Sequence, residues 1–307
     1  SILYGCTGTT NFENYTILFS GVDVSTFSTS ESISIALLFV GAAFFFKIAA
    51  APLHMWSPDV YEGSPTSSTI FFAVIPKIAL FAVFIRMFQT VFSSFEDTLL
   101  IMSIFFSICS VIVGSFAALK QRKLKRLLAY SSVSHVGYLL LAFSANSIEG
   151  TQALFFYLVI YMITSLSLWS VILSINTSTN TERSKTLIDF ASVSTANPLI
   201  GLTGMMALFS LAGVPPLAGF YAKMAVFLSA IGSSLIFVSL IAILCSVVSS
   251  VYYIRLIKIM YFEPKSDVSF VYPVTRACSL MMASGTFLLL YLFINPTLLL
   301  LLTEKMA

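Results

Sequence analysis

Long apolar runs, each cut off by a short polar segment, succeed one another along the whole chain. A hydrocarbon core about 30 Å thick needs around 20 apolar residues per helix. The pattern reaches that length at 33–55, 66–92, 98–119, 127–145, 151–175, 198–231, 234–260 and 277–302, so about eight transmembrane helices are predicted. Several runs are rich in aromatic and β-branched residues, but a lipid-facing strand needs a closed barrel and alternating polarity, which are absent from the pattern. Residues 1–10 are apolar but too short to span. They read as the tail of a further helix and lack the basic flank of a targeting peptide.

Composition agrees with an all-α membrane protein. Of 307 residues, 58% are hydrophobic and 9% charged, against about 25% charged in soluble domains, and the mean hydropathy is +0.97. The net charge of +3 says less than its distribution. Lys120, Arg122, Lys123, Lys125 and Arg126 crowd one short loop, and counting spans puts Arg183, Lys185, Arg255, Lys258, Lys265 and Arg276 on the same side. By the positive-inside rule that side faces the matrix or cytoplasm. The other side receives Glu13, Asp23, Glu31, Glu96, Asp97 and Glu149. The basic loop reads as a topology determinant and lipid-headgroup contact, with no nucleic-acid role.

Against this background three lysines stand out. Lys47 and Lys77 each lie inside an otherwise apolar helical run, and Lys223 follows a Gly-Val-Pro-Pro break. An ionisable side chain at mid-membrane costs roughly 2.5–3.5 kcal/mol on insertion scales and marks a proton, ion or substrate path. Pro52 and Pro58 are expected to interrupt the first span just after Lys47, and Gly213, Pro215 and Pro216 the sixth just before Lys223. Broken helices beside buried cations point to an aqueous path. Their recurrence suggests an internal repeat, with Lys47 and Lys223 in related places. Lys77 has apolar residues a turn away on either side, and no carboxylate stands inside a predicted span.

His135 lies about a third of the way into the fourth span, among Ser131, Ser132, Ser134 and Tyr138. A proton relay and a hydrogen-bonded packing residue are both open there. His54, beside Trp56 at the first break, reads as a cap or loop contact. Cys6, Cys109, Cys245 and Cys278 are scattered without metal-ligand spacing, and no phosphate loop, zinc motif or nucleophile elbow occurs.

The blocks KIAAAPLHMWSPDVYEGSPTSSTIFFAVIPKIALFAVFIRMF, LKRLLAYSSVSHVGYLLLAF and SLAGVPPLAGFYAKMAVF resemble, in order and spacing, the antiporter-like membrane subunits of respiratory complex I. The resemblance covers the whole chain but only the later part of such a subunit. It implies two inverted repeats, each with a broken helix, and a row of charged groups moving protons in step with quinone reduction elsewhere. Lys47 then matches the central lysine on the first broken helix, Lys77 the lysine linking two half-channels, and Lys223 the lysine on the second broken helix. His135 falls in the family's S-x-x-H-x-G-Y pattern, and Pro52, Gly213 and Pro215 match the breaks.

On that reading residues 1–32 end a preceding helix and form an intermembrane-space loop. Residues 33–92 end the first repeat, 93–262 form the second, and 263–307 add a loop and a last helix. The expected location is the mitochondrial inner membrane, among other membrane-arm subunits and lipids including cardiolipin. No cofactor is expected in this chain, with NADH, FMN, iron-sulfur clusters and ubiquinone handled by other subunits. Family members pair the lysine matching Lys47 with an acidic residue on an earlier helix. The expectation is a split subunit whose second chain supplies it, with truncation as the alternative. A structural membrane-arm subunit and a subunit of a cation/proton antiporter are the rival functions; a self-contained redox enzyme is disfavoured.

Overall fold

Helices α1 (Ile2–Thr7) and α2 (Phe12–Phe19) open the chain in the computed structural model, which describes residues 1–19, 30–175, 186–191, 193–263 and 274–306. Asp23, Arg183, Lys185 and Lys265 lie outside the described residues. Residues 1–32 are expected to hold only the end of a helix and a loop. Instead α2 folds because Tyr15 and Phe19 find an aromatic nest, with ring centroids 5.7 and 5.8 Å from Phe92.

The spans follow in the predicted order. The first comprises α3 (Ser30–Lys47), a turn segment, and α4 (Trp56–Gly63). Then come α5 (Thr66–Ile85), α6 (Glu96–Leu119), α7 (Leu124–Ser144) and α8 (Ile148–Ser174). After a short α9 (Val193–Ala196), α10 (Pro198–Ala212) and α11 (Ala218–Gly232) form the second broken span, followed by α12 (Ile236–Phe262) and α13 (Arg276–Ile294). Six helices among the described residues are long and apolar enough to cross a membrane unaided.

Two local readings change, and the second span reaches its expected end through an irregular turn. Pro58 does not break a helix: it sits in the first turn of α4, where the missing N–H has no partner to lose. Helix α5 runs on through a π-helical turn, Arg86–Val91. The last predicted span stops at Asn295, because Pro296 has no N–H to continue the ladder, and restarts as α14 (Thr297–Glu304).

Caps explain the starts. Ser147 accepts from the Gly150 N–H at 3.0 Å to open α8, and Asn197 accepts from the Leu199 N–H at 3.1 Å to open α10, with Pro198 at its first position.

Helix α7 is the axis of the bundle, with almost every residue from Leu127 to Ser144 buried. It packs most closely on α6, where small residues let the backbones approach. A Cβ on Gly137 would stand 2.5 Å from Ser110 Oγ, and one on Gly114 2.5 Å from the Ser134 nitrogen. Gly137→Val is therefore expected to destabilise the bundle by about 1–3 kcal/mol, seen as a lower melting temperature of the detergent-solubilised protein.

Candidate functional site: a buried row of amines, an imidazole and tyrosines

Lys223 owes its place to the second break. Helix α10 ends at Ala212 because Gly213 turns left-handed at φ 82°, a conformation glycine adopts without strain. The α11 helix restarts at Ala218, and the Lys223 side chain folds back onto the gap. Its ammonium donates to the Ala212 carbonyl at 2.8 Å, at the negative end of the α10 dipole. It also lies 5.5 Å from the ring centroid of Tyr138, a cation–π contact. A Cβ on residue 213 would come 2.8 Å from Lys223 Cδ, so the glycine provides room as well as the turn.

Lys77 points inward from α5, with only 6% of its surface exposed. Its Nζ donates to the Tyr161 hydroxyl at 3.3 Å and lies 5.2 Å from that ring's centroid. Neither lysine forms an ion pair among the described residues. Tyr161 stacks obliquely on His135, centroids 5.0 Å apart. A water-sized cavity lined by His135, Tyr157, Tyr161, Thr164, Ser210 and Lys223 completes the row. Lys77, Tyr161, His135 and Lys223 thus form one buried series.

His135 does not use the neighbours expected for it. The hydroxyls of Ser131, Ser132 and Ser134 donate back to carbonyls three residues earlier in α7, the common fate of helical serine. Its ring nitrogens face tyrosines from other helices: Nδ1 is 2.6 Å from the Tyr157 hydroxyl and Nε2 3.0 Å from that of Tyr253. Two of those rings sit on α8 and α12, in apolar runs where a tyrosine looks like packing. The signal that could have found them is the surplus of phenols at depth.

Lys47 departs from expectation. It ends α3 before the break, whereas Lys223 follows its own break, so the two lysines do not occupy the same place relative to the interruption. Lys47 is exposed on the surface of this chain, without a hydrogen bond or ion pair among the described residues. The Phe46 carbonyl accepts from the Ala49 N–H at 3.1 Å and from the Trp56 indole at 2.9 Å. His54 is buried in the turn, Nδ1 3.3 Å from the Pro52 carbonyl, as a loop contact should be.

The basic loop makes contacts within the chain. Lys123 pairs with Glu62, and Arg126 with Asp59 at 3.1 Å and Glu62 at 3.4 Å. Buried Lys125 donates to the Ser64 carbonyl at 2.7 Å. These contacts fasten α4 to the start of α7. Behind them a second water-sized cavity, lined by Tyr61, Ser131, Ser132, Tyr161, Ser165 and Trp169, reaches Tyr161 from the basic side. Among the described residues the cysteines are free, and no group of His, Cys, Asp and Glu could hold a metal ion.

The geometry has close parallels. NADH-ubiquinone oxidoreductase chain 2 of Marchantia polymorpha is 42% identical over 309 aligned residues, spanning 100% of this chain and 62% of that relative. The chain therefore spans less than two thirds of the length of this curated relative. A subunit in the structure of respiratory complex I from Thermus thermophilus with bound aureothin superposes with a TM-score of 0.79 at 30% identity, covering 97% of this chain and 63% of that one. A chain of the Mrp complex from Dietzia sp. shares the fold at a TM-score of 0.85, with 21% identity over 99% of this chain and 63% of its own. Residues 1–249 match the sequence family described as "NADH:quinone oxidoreductase/Mrp antiporter, TM", and the chain belongs to that family.

Proposed function

We propose that this chain is part of a membrane-arm subunit of respiratory complex I, in the mitochondrial inner membrane, and that it passes protons along Lys77, His135 and Lys223. The observation that carries the reading is the buried row itself: two amines and an imidazole, without a carboxylate, linked by a phenol and a water-sized cavity. A permanently charged structural lysine would call for an anionic partner at this depth. The relatives named as NADH-ubiquinone oxidoreductase chain 2 support the choice of complex. In this reading NADH, FMN, iron-sulfur clusters and ubiquinone act on other subunits.

Residues 33–92 end one repeat and residues 93–262 form a second, with Pro52, Gly213 and Pro215 marking the breaks. Exposed Lys47 is where the row meets the rest of the assembly, and a second chain supplies its acidic partner in this reading.

Lysine chemistry separates pumping from scaffolding. In sealed vesicles carrying the assembled complex, Lys77→Ala and Lys223→Ala are each expected to slow proton translocation at least about tenfold. Lys77→Arg should not restore it, because a guanidinium keeps its proton. Unchanged proton-to-electron stoichiometry in these variants would assign the chain a structural role.

Gly213→Ala leaves both lysines in place but disturbs one. The left-handed backbone should cost about 1 kcal/mol, and the new methyl should push the Lys223 amine off the Ala212 carbonyl. Slower pumping together with a slightly lower melting temperature is the expected outcome.

A further inference from the structure

His135 is held at both ring nitrogens by phenols, and only one of those phenols opens on the cavity. Tyr157 lines the cavity that also holds Lys223. Tyr253, 1% exposed, stands on the other side, where its neighbour along α12, Tyr252, lies with ring centroids 4.4 Å apart. The Tyr252 hydroxyl is sealed from solvent and makes no hydrogen bond of full geometry, although the hydroxyls of Tyr253, Ser134 and Ser249 face it. Buried phenol hydroxyls ordinarily make one.

We propose that Tyr253 is a positioning residue for His135, and that the hydroxyl of Tyr252 is the acceptor Tyr253 turns to when the imidazole carries two protons. The proposal rests on the proton-carrying role given above. A neutral imidazole has one N–H and one bare nitrogen. Of the two flanking phenols, one therefore accepts from the ring and the other donates to it. When a second proton reaches the ring from the Lys223 side, both nitrogens donate, and both phenol oxygens must accept. Each phenol hydrogen then needs a new acceptor. Tyr157 has the cavity beside it. Tyr253 has Tyr252, whose oxygen accepts no hydrogen bond of full geometry. When the proton leaves, Tyr253 can donate to the ring again and Tyr252 is released. Apart from the ring N–H, no covalent bond is made or broken, and the proton returns to the row from which it came.

This explains why a hydroxyl without a full hydrogen bond persists in a well-packed interior. It also assigns distinct roles to the two phenols: Tyr157 faces the path, and Tyr253 with Tyr252 fixes the ring from behind. A histidine so held can change protonation without swinging, and the partner needed for its charged form is already in place.

The test uses the assembled complex in sealed vesicles, with histidine labelled by nitrogen-15 and imidazole bands read by infrared difference spectroscopy on energisation. Tyr253→Phe keeps the ring and removes the oxygen. It should collapse the imidazole bands onto the form with a bare Nε2, weaken the doubly protonated signal, and lower proton translocation about tenfold. The amount of intact complex on a native gel should match the parent, showing that the complex has assembled. Tyr252→Phe leaves the contact between Tyr253 and His135 intact, so it should weaken only the doubly protonated signal. Parental imidazole bands in assembled Tyr253→Phe would overturn the proposal. If that variant does not assemble, parental bands in Tyr252→Phe would do so. Should Lys77→Ala and Lys223→Ala pump normally while the Tyr253→Phe bands shift, the pumping role fails but the hold on His135 stands.

Discussion

An amine kept inside a membrane protein without a counter-charge has to be satisfied by dipoles. Lys77 and Lys223 are both in that position, and much of the local architecture follows from it. Desolvating an isolated charge costs several kcal/mol even after relaxation. A helix C-terminus returns roughly 0.3–1 kcal/mol, or up to about 2 when partly buried, and a ring face roughly 0.5–2. No one contact matches the cost, so each lysine collects more than one. Lys223 takes the Ala212 carbonyl and the Tyr138 ring. Lys77 takes the hydroxyl and the ring face of Tyr161. Dipoles hold a proton less firmly than a carboxylate would, which agrees with the proposed function.

The two helix breaks show how one sequence device gives different sites. Each interruption exposes carbonyls that the helix would otherwise consume. At the second break Gly213 folds the chain so that Lys223 reaches the stub of α10. At the first, Trp56 takes the Phe46 carbonyl and leaves Lys47 facing outward. A break therefore supplies acceptors, and the residues just beyond it decide whether an amine claims them. The ion pairs between α4 and α7 bear on the same point, because they pin the half-helix that carries Tyr61 against the cavity leading to Tyr161. Each such pair, partly exposed, is worth at most about 1 kcal/mol, so their contribution is to fix position more than to add stability.

Apolar run length was enough to find eight spans, and proline with glycine was enough to find both breaks. Those signals are local, and local physics decides them. The tyrosines of the site could not be read in the same way. Tyr138, Tyr157, Tyr161 and Tyr253 come from α7, α8 and α12, and in one dimension each is another aromatic residue in an apolar helix. Only the convergence of three helices makes them a site. The serines around His135 misled for the converse reason. They are near in sequence, but a helical serine satisfies its hydroxyl on its own backbone and has little left to offer a neighbouring ring. The depth of Lys77 was legible, since its flanks are apolar for a turn each way, while the exposure of Lys47 depends on what packs beside α3.

The order of groups along the row restricts how charge can travel in it. Lys77 touches Tyr161, and Tyr161 lies over the His135 ring, but the approach of these two is ring to ring, and the hydrogen bonds of His135 go to Tyr157 and Tyr253. On the proposed function, a proton passing between Lys77 and Lys223 would use the cavity that Tyr161, His135 and Lys223 share, since side chains alone do not close the circuit. The cavity is of the size for a single water and is lined by enough polar atoms to hold one. Filling or emptying it would make or break the connection, with the lysines themselves hardly moving. On the proposed function, the fixed parts of such a row are the dipoles that keep each amine in place, and the variable part would be the hydration of the cavity between them.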